Sequence, residues 1–139
     1  MESQEVDKMN LLVSRRILKR EFGRAISADD LSVLRRTANV VLATPIAGPG
    51  LPAGTRLLKA YGTARSGPKR VIYLLAVAEG DLFLLFYRGK NDPLGANATA
   101  KNPAFRTELY KSLALLEQDI RAGEIHTIEL RGGTGEAVD

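Results

Sequence analysis

Seven cations, Arg56, Lys59, Arg65, Lys69, Arg70, Arg88 and Lys90, fall between positions 56 and 90, and only Glu79 and Asp81 oppose them there. Such an excess suits a phosphate partner, because arginine forks grip two oxygens of one phosphate and lysines add compact point charges. The basic character is local: residues 1–55 carry eight cations against six acids, 56–90 seven against two, and 91–139 five against eight. The formal charge of +4 thus belongs to the middle of the chain, which argues for a site more than for a sticky surface. The ordinary alternative is cations that merely solubilise exposed strands and protect their edges. Tyr87 is left open between strand packing and a base platform. Tyr61, Tyr73 and Phe83 read as core or strand-packing residues.

Other chemistries find little support. There is no cysteine, so disulfides and thiolate catalysis are excluded. The single histidine, His126, cannot build a zinc site and receives no role. Gly48, Gly50 and Gly54 lack the Lys-Ser/Thr ending of a phosphate-binding loop. The polar N-terminus has no apolar signal-peptide core and the apolar runs are too short to span a bilayer, so a cytoplasmic protein with no membrane, metal or cofactor is expected.

The elements that must position the cations follow from local pattern. Val71–Val77 and Leu82–Tyr87 are strand-like runs joined by the turn signal 78–81, and Arg56–Tyr61 reads as a strand before them. Because strand side chains alternate between faces, such a meander can gather cations from several strands on one surface. Thr63–Pro68 reads as a turn-rich basic link. Upstream, 10–25 suggests a short strand and then a basic amphipathic helix, whose Arg15, Arg16, Lys19, Arg20 and Arg24 imply a solvated face. Ser27-Ala-Asp-Asp30 starts a second helix that should run to Thr44, where Pro45 stops it, and Pro45–Gly54 reads as a loop. Asn91–Asn97 is another loop. Asn102-Pro103 opens a helix lined by Phe105, Leu109, Leu113, Leu116 and Ile120 and ended by Gly123, after which 125–130 adds a short strand. One domain over 1–139 is expected, with 1–9 a flexible leader and 131–139 a frayed tail.

The order strand, helix, helix, three-stranded meander, with Arg56-Leu-Leu-Lys59, Ser66-Gly-Pro-Lys-Arg70, Val71-Ile-Tyr73 and Gly89-Lys-Asn91, resembles the RelE/ParE superfamily of bacterial toxins, in its HigB-like branch. The resemblance covers about residues 10–97. It implies an α+β fold in which N-terminal helices pack on a twisted, mainly antiparallel sheet, with an additional C-terminal helix outside the common core. It further implies a toxin of a toxin–antitoxin pair, an mRNA endoribonuclease acting on the ribosome without a metal and held in check by a cognate antitoxin protein. On that resemblance Lys59 serves the attacking 2′-hydroxyl, Arg56 and Arg70 neutralise the scissile phosphate, Lys90 is the late basic residue of the site and Tyr87 stacks on a base or assists a protonation. Arg65, Lys69 and Arg88 hold flanking RNA. The catalytic tyrosine that the better-known ribonucleases carry near the C-terminus has no counterpart after Tyr110. Two rivals remain open: a gyrase-targeting ParE-like toxin, and a non-catalytic RNA-binding module.

Overall fold

The computed structural model describes residues 10–23, 25–38, 44–46, 50–96, 99 and 101–130. Strand β1 (Asn10–Ser14) runs directly into helix α1 (Arg15–Phe22), and α2 (Ala28–Thr37) follows. The switch from strand to helix falls at Ser14, whose hydroxyl accepts from the Ile17 amide at 3.2 Å and satisfies a donor that a helix start leaves unpaired. The buried Asp119 carboxylate does likewise for the Arg16 amide at 2.8 Å and also takes the Arg16 guanidinium. Burial alone would raise the Asp119 pKa, but the Arg16 amide, the Ser14 hydroxyl and the Arg16 charge outweigh it and hold the carboxyl below its usual range. Ser27 caps α2 by accepting from the Asp30 amide at 3.1 Å.

Next come β2 (Thr44–Ile46), β3 (Thr55–Ala64), β4 (Gly67–Ala76), β5 (Asp81–Gly89), the one-turn α3 (Pro93–Ala96), α4 (Pro103–Ala122) and β6 (Ile125–Ile128). Helix α4 begins as its sequence signals, with Asn102 capping the Ala104 amide at 3.0 Å and Pro103 in the first turn. It ends at Gly123, which takes the left-handed conformation at φ 71°.

The strands form one six-stranded sheet in the order β2-β3-β4-β5-β1-β6. The meander β2 to β5 is antiparallel, but β1 lies parallel to β5 and antiparallel to β6. Each face buries its own core. On one, Val33 and Leu34 of α2 pack on Leu58, Ala60, Val71, Tyr73 and Leu84. On the other, Phe105, Leu109 and Leu116 of α4 and Ile17 of α1 pack on Leu57, Ile72, Leu74 and Phe86.

The expected α+β, RelE/ParE-like architecture is corrected by these findings. The molecule is a mixed α/β structure: its sheet is mixed, with β1 inserted between β5 and β6, and helices cover both faces. Helix α4 is no accessory, since its Phe105, Leu109 and Leu116 pack into the core of one face. The second helix also ends earlier than expected, at Thr37, and Thr44, Pro45 and Ile46 pair with Lys59, Leu58 and Leu57 as an edge strand. Proline is tolerated at such an edge. Ile120, expected on the apolar side of α4, is half exposed. The leader 1–9, the tail 131–139 and the helix extension over 39–43 lie outside the described residues. No helix among the described residues is long and apolar enough to cross a membrane.

Helix α2 lies close to β3 because position 62 is glycine. A Cβ there would meet Val33 Cγ1 at 2.7 Å and Thr37 Cγ2 at 3.0 Å, both on the packed side of the helix. Gly62→Ala is therefore expected to destabilise the protein by about 1–3 kcal/mol through overpacking, a loss that urea unfolding would measure.

Candidate nucleic-acid interface

Alternation along the meander decides which cations meet. Leu57 of β3, Ile72 of β4 and Phe86 of β5 face α4, so Lys59, Tyr61, Arg70 and Arg88, each two or four residues along the same strands, lie on that face beyond the cover of the helix core. The register then aligns Tyr61 with Arg70, and Arg70 with Arg88, in one cross-strand row. The Arg70 guanidinium sits 4.6 Å from the Tyr61 ring centroid and the Lys59 ammonium 5.8 Å from it. Lys90 follows β5, tied by its amide to the Pro68 carbonyl at 3.1 Å. It joins Tyr61, Thr63, Pro68 and Arg70 around an open cavity of about 270 Å³.

Two arginines directly opposed on a sheet repel, and a carboxylate relieves this pair. Glu21 of α1, fully shielded from solvent, binds Arg88 in a fork through Nε at 2.6 Å and Nη2 at 2.9 Å. The same carboxylate accepts from Arg20 Nε at 2.7 Å and from the Tyr87 amide at 2.8 Å. Asp92 approaches Arg88 at 3.6 Å. Arg88, expected to hold flanking RNA, is thus a structural cation that fixes α1 to β5.

Acid is scarce where the other cations gather. Arg15, Arg16, Arg20, Arg88, Lys111 and Arg121 each have a carboxylate partner, whereas Lys59, Arg65, Lys69 and Lys90 make no ion pair among the described residues. Lys59 and Lys90 thus keep their charge at this end of the sheet without an ion pair among the described residues.

The remaining expected residues separate. Arg56 is three residues before Lys59, so it points to the opposite face, and it is about 16 Å along the strand from Tyr61. Arg65 occupies the β3–β4 turn, where its amide donates to Asp29 Oδ2 at 2.8 Å and its side chain is exposed. Lys69 borders the same cavity, but its ammonium is turned to the α2 face, 5.6 Å from the Tyr87 ring. Tyr87 itself is buried among the α2-side core, and its hydroxyl donates to Asp30 Oδ1 at 2.6 Å. Desolvation, and then the hydrogen bond and charge of Asp30, push the phenol pKa far up. The stacking or protonating role expected for Tyr87 is corrected: its ring is inside and its proton is committed. His126 is on β6, at the edge of the sheet opposite β2 and away from this end.

Tyr61 is the residue that the sequence reading placed wrongly. It is 57% exposed and stands at the β3 end of the row, against Arg70 and Lys59. The signal was present: with Arg65-Ser66 read as a two-residue turn, the hairpin register places Tyr61 opposite Arg70. Among the described residues no three His, Cys, Asp or Glu side chains gather as metal ligands. Fold and site together define a mixed-sheet α/β protein with an acid-poor cationic sheet end. Comparison with protein-family models, with curated proteins and with solved structures finds no match to the chain.

Proposed function

We propose that the β3–β4–β5 end holds an RNA phosphodiester, and that the chain is an mRNA endoribonuclease toxin that halts translation on the ribosome and is restrained by an antitoxin protein. The observation that carries the phosphate reading is the convergence of Lys59, Arg70 and Lys90 around Tyr61 with no carboxylate partner for either lysine among the described residues. The toxin reading draws its support from the resemblance of the ordered segments between Arg56 and Asn91.

The arrangement suits cleavage from within the RNA. The 2′-oxygen attacks phosphorus, the bond to the 5′-oxygen breaks, and a 2′,3′-cyclic phosphate and a free 5′-hydroxyl result; the proton lost by the 2′-hydroxyl is balanced by the one gained by the 5′-oxygen. On this reading Arg70 and Lys90 stabilise charge growing on the phosphoryl oxygens, and Lys59 assists the attacking hydroxyl. One observation favours a second reading, RNA binding without cleavage: Tyr87 is engaged with Asp30, and no other phenol or imidazole is placed as a proton donor among the described residues of the row apart from Tyr61.

The test is an in vitro translation reaction with programmed ribosomes. The nuclease reading expects mRNA cut in the A site by the wild type and left intact by Lys59→Ala, with growth arrest on expression lost in parallel. Growth arrest without cleavage overturns it, and inhibition of DNA supercoiling in that case would move the assignment to the gyrase-directed rival.

A further inference from the structure

We infer that Tyr61 is a base-stacking platform, so that the ligand of the cationic end is single-stranded RNA with an unpaired base laid on the Tyr61 ring. The inference deepens the proposed RNA reading and rests on it. A tyrosine on a strand face above a sheet core is ordinarily covered, and Tyr73 on the neighbouring strand, fully buried with its hydroxyl 2.8 Å from that of Thr37, shows the usual fate. Tyr61 differs. It keeps 57% of its surface open although Arg70 already lies against the ring, so aromatic area remains for a second planar partner. Among the described residues its hydroxyl makes no hydrogen bond that would explain it as a polar anchor.

The surroundings match what a nucleotide brings. A base carries its phosphates within a few ångströms of its own edge, and the ring is bordered by Lys59 and Arg70, with Lys90 across the 270 Å³ cavity that all but Lys59 line. Gly62, Thr63, Pro68 and Lys69 complete the rim, and the Lys69 ammonium is turned toward the Tyr87 ring, away from that of Tyr61. A duplex hides the faces of its bases and cannot use such a platform, whereas stacking on aromatic rings and arginine planes is the common mode for single strands.

Binding of a short labelled oligoadenylate, of an abasic ribose-phosphate strand of equal length, and of an RNA duplex tests the platform by fluorescence anisotropy. The wild type is expected to prefer oligoadenylate over the abasic strand by roughly 5- to 100-fold, the usual worth of one stacked base. Tyr61→Leu, a change on an exposed surface, should erase that preference, bringing the oligoadenylate affinity down to that of the abasic strand. Tyr61→Trp should keep or raise it. A preference that survives Tyr61→Leu overturns the platform and leaves phosphate binding standing. A wild type that binds none of the three strands overturns the RNA reading itself, and the platform with it.

Discussion

Glu21→Ala is expected to lower the unfolding free energy by about 3–5 kcal/mol, the usual cost of removing one partner from a shielded ion pair. The carboxylate is completely buried and serves four donors on three residues: the Arg88 fork, Arg20 and the Tyr87 amide. Its loss strands two partly buried guanidiniums that both lean on the Phe86 ring, Arg20 at 5.0 Å and Arg88 at 5.5 Å. It also leaves the Tyr87 amide unpaired, and it removes the charge that lets Arg88 stand directly opposite Arg70. Glu21→Gln keeps an acceptor and most of the volume but not the charge, so its loss should be intermediate. Urea unfolding followed by circular dichroism reads both; a change below about 0.5 kcal/mol for the alanine variant would contradict this role.

The largest functional effect is expected at Arg70, whose replacement by alanine should weaken single-stranded RNA binding about 10- to 100-fold, the range of a charge-assisted contact. Arg70 is the central member of the row, set between Tyr61 and Arg88, and it is the guanidinium closest to the Tyr61 ring. Arg70→Lys should recover only part of the loss, since an ammonium offers neither the fork nor the flat face. Lys90→Ala, at the cavity rim, should cost less. Arg56→Ala should leave binding within about twofold, because strand alternation turns it to the other face. Titration of a labelled RNA with each variant orders the four.

The parts of the fold written in local pattern were legible. Three meander strands, the Ser27 cap and the whole of α4 from its Asn102-Pro103 start to its Gly123 stop appear where the residues signal them. What the pattern could not carry was partnership over long separations. Leu11 pairs with Leu82 in a parallel ladder, and nothing in the five residues of β1 announces which strand it will join or in which direction. That one parallel pairing makes a mixed sheet of the one expected to be mainly antiparallel. The same limit governed the site. Lys59, Arg70 and Lys90 were identifiable by type, but Arg88 was read as free because its neutralising partner lies on α1, far away in sequence. Tyr61 and Tyr87 exchanged roles for a related reason: alternation puts them on opposite faces, and only the helix above each face decides which ring is buried.

In the proposed function, Lys59, Arg70 and Lys90 at one end of the sheet neutralise RNA phosphates. The salt dependence of single-stranded RNA affinity measures it most directly, since each neutralised phosphate contributes roughly 0.7 to the slope of log K against log salt. A wild-type slope of about −2 is predicted, flattened by about 0.7 in Lys59→Ala and again in Lys90→Ala, and unchanged in Arg56→Ala. A slope that neither lysine variant alters, or that Arg56→Ala flattens as much as they do, would contradict it.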